Sequence, residues 1–69
     1  MEYYKSEKHK LNTINPKQII NWINIKYPQL KGMCFYDKNE KCLVSLDADK
    51  YYFYFDPNHT VLDIIFFKH

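Results

Sequence analysis

The stretch KYYFYFDPNHTVLDIIFFK, residues 50–68, decides the fold. It holds two runs of β-branched and aromatic residues on either side of Pro57-Asn58, which is typical of two strands joined by a tight turn. Asp56 is favoured at the first position of a type I turn, and Pro57 fits the second. Because alternate side chains of a strand share one face, the stretch predicts a hairpin with one wholly apolar face. That face holds Tyr51, Phe53, Phe55, Leu62, Ile64 and Phe66.

Two shorter runs of the same kind precede this stretch. They predict strands at 33–37 and 41–47, followed by the strands 50–56 and 59–68. The connections Lys38-Asn39, Ala48-Asp49 and Pro57-Asn58 each follow an Asp, so a four-stranded antiparallel meander is expected. Continuing the alternation through these hairpins adds five residues to the core face: Met33, Phe35, Cys42, Val44 and Leu46.

A helix is predicted before the strands. Asn15 suits the N-cap, Pro16 suits the first helical position, and Pro28 ends the helix at about Tyr27. An apolar stripe at helical spacing then faces the sheet and includes Ile19, Ile20, Trp22, Ile23 and Tyr27. The predicted fold is therefore α+β, with one N-terminal helix packed on a four-stranded antiparallel meander sheet.

The chain is long enough for one domain with one small core. Residues 13–69 are expected to form this single α+β domain. Residues 1–12 are mainly polar and charged, with Tyr3 and Tyr4 as large apolar side chains. They are interpreted either as a flexible arm or as an additional strand that pairs with an edge of the sheet.

The amino-acid composition indicates the kind of genome that encodes the chain more clearly than it indicates the function of the chain. Phe, Tyr, Met, Ile, Asn and Lys, which have A/T-rich codons, make up more than half of the chain, and Arg is absent. This bias favours an A+T-rich genome, such as that of a low-GC bacterium, its phages and plasmids, or a virus. The first residues lack an apolar signal-peptide core, so a cytoplasmic location with reduced thiols is expected.

The sequence offers no catalytic set, metal site or cofactor motif. Cys34 and Cys42 are expected on opposite faces, which argues against a disulfide. No Cys or His forms a closely spaced ligand pair, so no metal is expected. No phosphate-binding Gly-rich loop occurs, and no nucleophile has an evident base. We therefore expect a protein that is not an enzyme and binds no cofactor.

The outer face of the predicted sheet is the candidate binding surface. The alternation assigns to it many apolar and aromatic side chains, more than a small monomer normally exposes. The N-terminal arm, a second copy or a different protein could cover it, and all three alternatives stay open. The last strand also presents an edge with one charge in residues 61–67, which favours pairing with another strand. The candidate residues are Tyr36, Leu43, Tyr52, Tyr54, Val61, Asp63, Ile65 and Phe67.

Two functions fit this surface. The first is a small protein-binding module that also forms a homodimer. Such a module would suit a phage or mobile-element protein that inhibits a host protein or defence complex in the host cytoplasm. The alternative is single-stranded nucleic-acid binding, with bases stacked on tyrosines of the sheet. A net charge of +2 and the lack of Arg favour the protein partner.

Overall fold

The structure is a computed structural model and describes residues 2–68. It has one helix and five strands, which confirms the α+β class. Met1 and His69, which fall within the two predicted ranges, lie outside the described residues. The elements in chain order are β1 (Glu2–Lys10), α1 (Pro16–Lys26), a short 3-10 helix (Pro28–Leu30), β2 (Cys34–Asp37), β3 (Cys42–Ser45), β4 (Tyr51–Asp56) and β5 (Val61–Lys68).

The helix begins and ends as predicted. Asn15 Oδ1 accepts hydrogen bonds from the backbone N–H groups of Lys17, at 2.9 Å, and Gln18, at 3.4 Å. These bonds satisfy donors that have no partner within the helix, and Pro16 occupies the first turn. Ile19 and Ile23 are fully buried, so the apolar stripe faces the core as its spacing predicts.

The predicted four-stranded meander is wrong. The strands form a three-stranded sheet in the order β1-β5-β4 and a separate two-stranded sheet, β2-β3. β5 is therefore a central strand, not the exposed edge that the sequence predicted. The meander fails at one junction, because β3 lies beside β4 without forming a hydrogen-bonded ladder with it.

The N-terminal segment occupies the edge of β5. Eight of the nine residues of β1 pair antiparallel with β5, and the ladder continues through the Leu11 N–H, which donates to the Thr60 carbonyl at 2.8 Å. The register shifts between Tyr3 and Lys5, which marks a bulge. Lysine residues and a bulge are common features of a strand at the edge of a sheet. The polar composition of this segment is thus compatible with strand structure.

The turns are longer than the two residues predicted. Residues 38–41 connect β2 to β3, and residues 57–60 connect β4 to β5. Lys41 and Thr60 close these turns with φ of 55° and 56°. Two additional residues preserve the parity of the alternation, so β4 and β5 share an apolar face as predicted. With a two-residue loop, Asp63 would lie opposite Tyr52. The longer turn shifts the pairing of β4 with β5 by two residues, so Asp63 lies opposite Tyr54.

The β2–β3 hairpin presents to the core the face opposite to the predicted one. Cys34 and Leu43 are buried, whereas Phe35 and Leu46 are 44% and 63% exposed. The prediction assumed that β3 pairs with β4, and it derived the core face of β3 from that of β4. This ladder does not form. Without that ladder the hairpin is free to turn its other face inward.

The core lies between α1 and the sheets. Trp22, predicted to be buried there, is half-buried at its margin, with its ring centroid 4.9 Å from that of His9. The fully buried positions are the smaller helix residues and the centre of the β4–β5 hairpin. The buried residues are Leu11, Ile19, Ile23, Leu30, Cys34, Leu43, Phe53, Leu62 and Ile64.

Candidate functional site

The candidate site is the outer face, which we define as the face of the three-stranded sheet that points away from α1. Phe53, Leu62 and Ile64 pack in the core with the helix, so the alternate residues of β4 and β5 point outward. β1 contributes its own alternate residues. Three cross-strand rows result: Ser6–Ile65–Tyr52, Lys8–Asp63–Tyr54 and Lys10–Val61–Asp56.

Six of the eight predicted site residues lie on this face. Tyr52 and Tyr54 stand on β4 and are 47% and 55% exposed. The other four lie on the central strand and are half-buried between the neighbouring strands: Val61, Asp63, Ile65 and Phe67. Among residues 2–68 no helix packs over them, because α1 occupies the other side of the sheet. The result is a broad aromatic and aliphatic surface.

Leu43 and Tyr36 do not belong to the outer face. Leu43 is only 8% exposed and is part of the core, so its assignment to the binding surface is wrong. Tyr36 lies directly across from Leu43 on the β2–β3 hairpin. Both placements follow from the reversal of that hairpin. Tyr36 instead lines a cleft beside β4.

This cleft opens between the β2–β3 hairpin, the edge of β4 and the start of α1. It has a volume of about 190 Å³, and it holds no charged side chain. The Phe67 N–H donates to the Lys50 carbonyl, so the ladder alternation points the backbone groups of Phe53 and Phe55 away from β5 on this side. The lining residues are Ile14, Pro16, Ile19, Tyr36, Cys42, Leu43, Tyr52, Phe53, Tyr54, Phe55 and Pro57.

Asp63 is the acidic group at the middle of the outer face. It lies between Lys8 on β1 and Tyr54 on β4. Its Oδ1 atom is buried and has no hydrogen-bond partner within the described chain. A buried acceptor without a partner is costly. The negative charge of this carboxylate would also repel a phosphate group at the centre of the face.

A hydrogen-bonded cluster joins β1 to the end of α1. The Tyr27 hydroxyl donates to Glu7 Oε1 at 3.0 Å, and His9 Nε2 lies 2.5 Å from the same hydroxyl oxygen. Since the hydroxyl proton is directed to Glu7, the His9 Nε2–H must be the donor to Tyr27. Burial, together with the hydrogen bond and charge of Glu7, raises the pKa of Tyr27 to about 12. The cluster therefore stays neutral at Tyr27 and fastens β1 to the helix.

The groups considered for catalysis do not assemble into a site. His59 Nδ1 lies 2.7 Å from Asp56 Oδ2, and this hydrogen bond lowers the pKa of Asp56. The pair closes the β4–β5 turn, while the Ser45 hydroxyl accepts from the Asp47 N–H in a different turn. Within residues 2–68 no three His, Cys, Asp or Glu side chains are grouped closely enough to hold a metal ion. The described chain also has no helix long and apolar enough to cross a membrane.

The two cysteines occupy opposite environments. Burial raises the pKa of the Cys34 thiol to about 12. Cys42 is exposed, and its pKa is raised by desolvation and by the nearby carboxylates of Glu40 and Asp37. Reactivity depends on access and on the thiolate fraction, so the two thiols should differ strongly.

A thiol reagent is therefore expected to modify one thiol per native chain at mildly alkaline pH. The second thiol should react only after denaturation, because Cys34 must first be exposed. Absorbance of the released thiolate of a disulfide reagent measures both counts. In the control variant Cys42→Ser, the native count should fall to zero. A rapid native count of two would contradict the burial of Cys34.

Sequence reasoning missed several exposed apolar residues. Phe35 and Leu46 point away from the core because the hairpin is reversed, Ile14 lies just before α1, and Ile25 lies on the exposed side of α1. Ile14 is predicted to pack on Ile19 as a hydrophobic staple, but it is 64% exposed at the cleft. No local signal distinguishes these positions, since each belongs to a regular apolar pattern.

The chain matches no protein-family model, no curated protein and no solved structure. The candidate site is therefore interpreted from its own residues and geometry.

Proposed function

We propose that this chain is a non-enzymatic protein-binding module that holds a partner protein on its outer face. The observation that supports the proposal is the exposed pair Tyr52 and Tyr54, which stand on an uncovered sheet face beside Ile65 and Phe67. Tyrosine is enriched in protein interfaces because its ring supplies contact area while its hydroxyl finds a polar partner. A patch of this kind on a small chain favours a binding role.

The charges of the face also favour a protein partner. Lys8 and Lys10 lie on β1, and Asp63 and Asp56 lie on β5 and β4, so the two signs balance across the three rows. Such a surface attracts neither a polyanion nor a polycation over its whole extent. It suits a partner with an apolar centre and polar groups of both signs around it.

The double substitution Tyr52→Ser and Tyr54→Ser tests the proposal. We expect capture of the partner to be lost, because aromatic residues at the centre of an interface carry much of its binding energy. The fold should persist, since both side chains point away from the core. The measurement is affinity purification from a low-GC bacterial host with the parent and the variant as baits, followed by binding measurements with the purified partner.

The control variant is Ile25→Ser, which removes an exposed apolar side chain from α1 outside the outer face. Its binding should equal that of the parent protein. Equal binding by the double variant would contradict the proposed face. Loss of its circular-dichroism spectrum would show that Tyr52 and Tyr54 support the fold, and would contradict the outward orientation.

A partner from the host also tests the narrower proposal that the chain is a phage or mobile-element inhibitor of a host protein or defence complex. The support for this narrower role is the A+T-rich amino-acid usage together with the small size of the chain. Inhibition of the purified partner by the parent protein, but not by the double variant, is the expected result. Binding without inhibition would contradict the inhibitor role and would still agree with the proposal of a protein-binding module.

Single-stranded nucleic-acid binding is the second candidate, and one observation favours it. β1 brings Lys8 and Lys10 onto the same face as Tyr52 and Tyr54, so bases could stack while ammonium groups contact phosphates. Asp63 at the centre opposes a phosphate chain there. Titration of a labelled oligonucleotide at several salt concentrations separates the two functions, because phosphate contacts give a steep salt dependence.

A further inference from the structure

The outward edge of β1 is one of the two edges of the three-stranded sheet. β5 lies on one side of β1, and no strand among residues 2–68 lies on the other. The Leu11 N–H donates to the Thr60 carbonyl, which fixes the alternation along the ladder. The backbone groups of Glu7 and His9 therefore point to β5, whereas those of Ser6 and Lys8 point outward. These outward groups could form hydrogen bonds with another strand.

The sequence of β1 is complementary in charge to its own reverse. In an antiparallel pair, residues directly opposite each other have the same backbone direction and the same face. A two-fold axis at Ser6 places Lys5 opposite Glu7 of a second copy, and Glu7 opposite its Lys5.

The other two-fold registers centred on residues 5–10 are unfavourable. An axis at Lys5, Glu7 or Lys8 places that charged residue opposite its own copy, and like charges directly opposite each other destabilise a sheet. The register centred on Ser6 avoids such a pair and gains two of opposite sign. The complementarity thus specifies both the partner, which is a second copy of this chain, and the register.

We infer that two copies of this chain associate through β1 in the register centred on Ser6. The strands then form one six-stranded sheet in the order β4-β5-β1-β1-β5-β4, with both helices on one side and both outer faces on the other. The bulge at Tyr4 ends the regular edge, so the paired stretch is short and the dimer is reversible. The inference concerns the edge of the sheet and does not rest on the proposed binding of a partner to the outer face.

The charged groups of this register are accessible in the monomer. Lys5 is exposed, with its Nζ 5.2 Å from the centroid of the Phe66 ring. Glu7 uses Oε1 to accept from Tyr27, and its other oxygen has no partner among the described residues. Each Glu7 can therefore receive the Lys5 ammonium group of the second copy without losing its bond to Tyr27.

The test is exchange of charges across the two-fold axis, followed by sedimentation equilibrium at low ionic strength. The parent protein should show a concentration-dependent equilibrium between monomer and dimer. In each single variant, Lys5→Glu or Glu7→Lys, two opposite-charge pairs become two like-charge pairs. We expect the Kd of the dimer to rise about ten- to thirtyfold in each.

Mixing the two single variants provides the decisive measurement. In their heterodimer, the carboxylates of the Lys5→Glu variant face the ammonium groups of the Glu7→Lys variant at both pairs. An equimolar mixture should therefore recover dimerisation close to that of the parent, although each variant alone does not. A general loss of stability in either variant would not produce this recovery.

Two controls carry the same charge changes away from the edge. Lys17→Glu on α1 and Glu40→Lys in the β2–β3 turn, both exposed, should leave the Kd unchanged. A parent protein that stays monomeric at all concentrations would overturn the inference. Dimerisation that persists unchanged in both single variants would exclude this edge, and mixed variants that fail to recover would exclude this register.

A backbone variant tests the hydrogen bonds independently of charge. The Ser6 N–H points outward, so Ser6→Pro removes a donor that the chain itself does not use. The variant should fold with an unchanged circular-dichroism spectrum and remain monomeric. A folded Ser6→Pro variant that still forms a dimer would overturn pairing through β1.

Discussion

Replacing Phe53 by alanine is expected to reduce the free energy of unfolding by about 3–5 kcal/mol. Phe53 is 2% exposed, lies in the middle of β4 and faces Ile64 across the ladder. Its removal leaves a cavity at the centre of the core, where the surrounding side chains can relax only partly. A single core of this size supplies about 3–5 kcal/mol in total, so most molecules of the variant should be unfolded at 25 °C.

Urea denaturation followed by circular dichroism measures this effect. The matched control is Tyr54→Ala, which makes a similar truncation in the next residue of the same strand. Because Tyr54 is largely exposed, its substitution should change the free energy of unfolding by less than about 1 kcal/mol. Equal urea midpoints for the two variants would contradict the assignment of the two faces of β4.

The second large effect is expected from a proline in β1. The His9 N–H points toward β5, opposite Leu62, and proline at this position removes that ladder bond and introduces a ring where the strands meet. We expect His9→Pro to detach the end of β1 and to lower stability by about 1–3 kcal/mol, because the Leu62 carbonyl loses its donor. The freed edge of β5 holds the apolar residues of the last strand, so this variant should also aggregate.

Thermal unfolding and light scattering of three variants separate the causes. Lys8→Pro places the same ring one residue earlier, where the N–H points outward, and should unfold close to the parent temperature. His9→Ala removes only the contacts of the side chain with Tyr27 and Trp22, and should be intermediate. If Lys8→Pro were as damaging as His9→Pro, the register of β1 against β5 would be wrong.

The residues of the candidate site were predictable only on the β4–β5 hairpin, where the alternation of side chains defines the two faces. Tyr52, Tyr54 and Asp63 belong to β4 and β5, whose outward residues follow from parity once the two strands pair. Leu43 was misassigned because its face depended on a ladder between β3 and β4. Lys8 and Lys10 could be expected around the tyrosines of this face, but not at particular positions, since nothing in residues 2–10 identifies the strand with which they pair.

The sequence by itself determined the local elements. Asn15 and Pro16 specify the start of α1, and Pro28 specifies its end, because capping and the lack of a proline N–H act within a few residues. Asp56 and Pro57 specify the turn between β4 and β5. The apolar alternation on either side of that turn then fixes which face of the hairpin is buried.

Only the tertiary structure decided how the strands are arranged. β1 and β5 lie at opposite ends of the chain, and their pairing depends on backbone hydrogen bonds that any sequence can form. An edge strand buries little apolar surface, so its sequence has no apolar alternation from which its partner strand could be predicted. The tertiary structure also decided that the hairpin of β2 and β3 buries Cys34 and Leu43. Both of its faces carry apolar residues, and the choice between them depends on the space left by α1 and the three-stranded sheet.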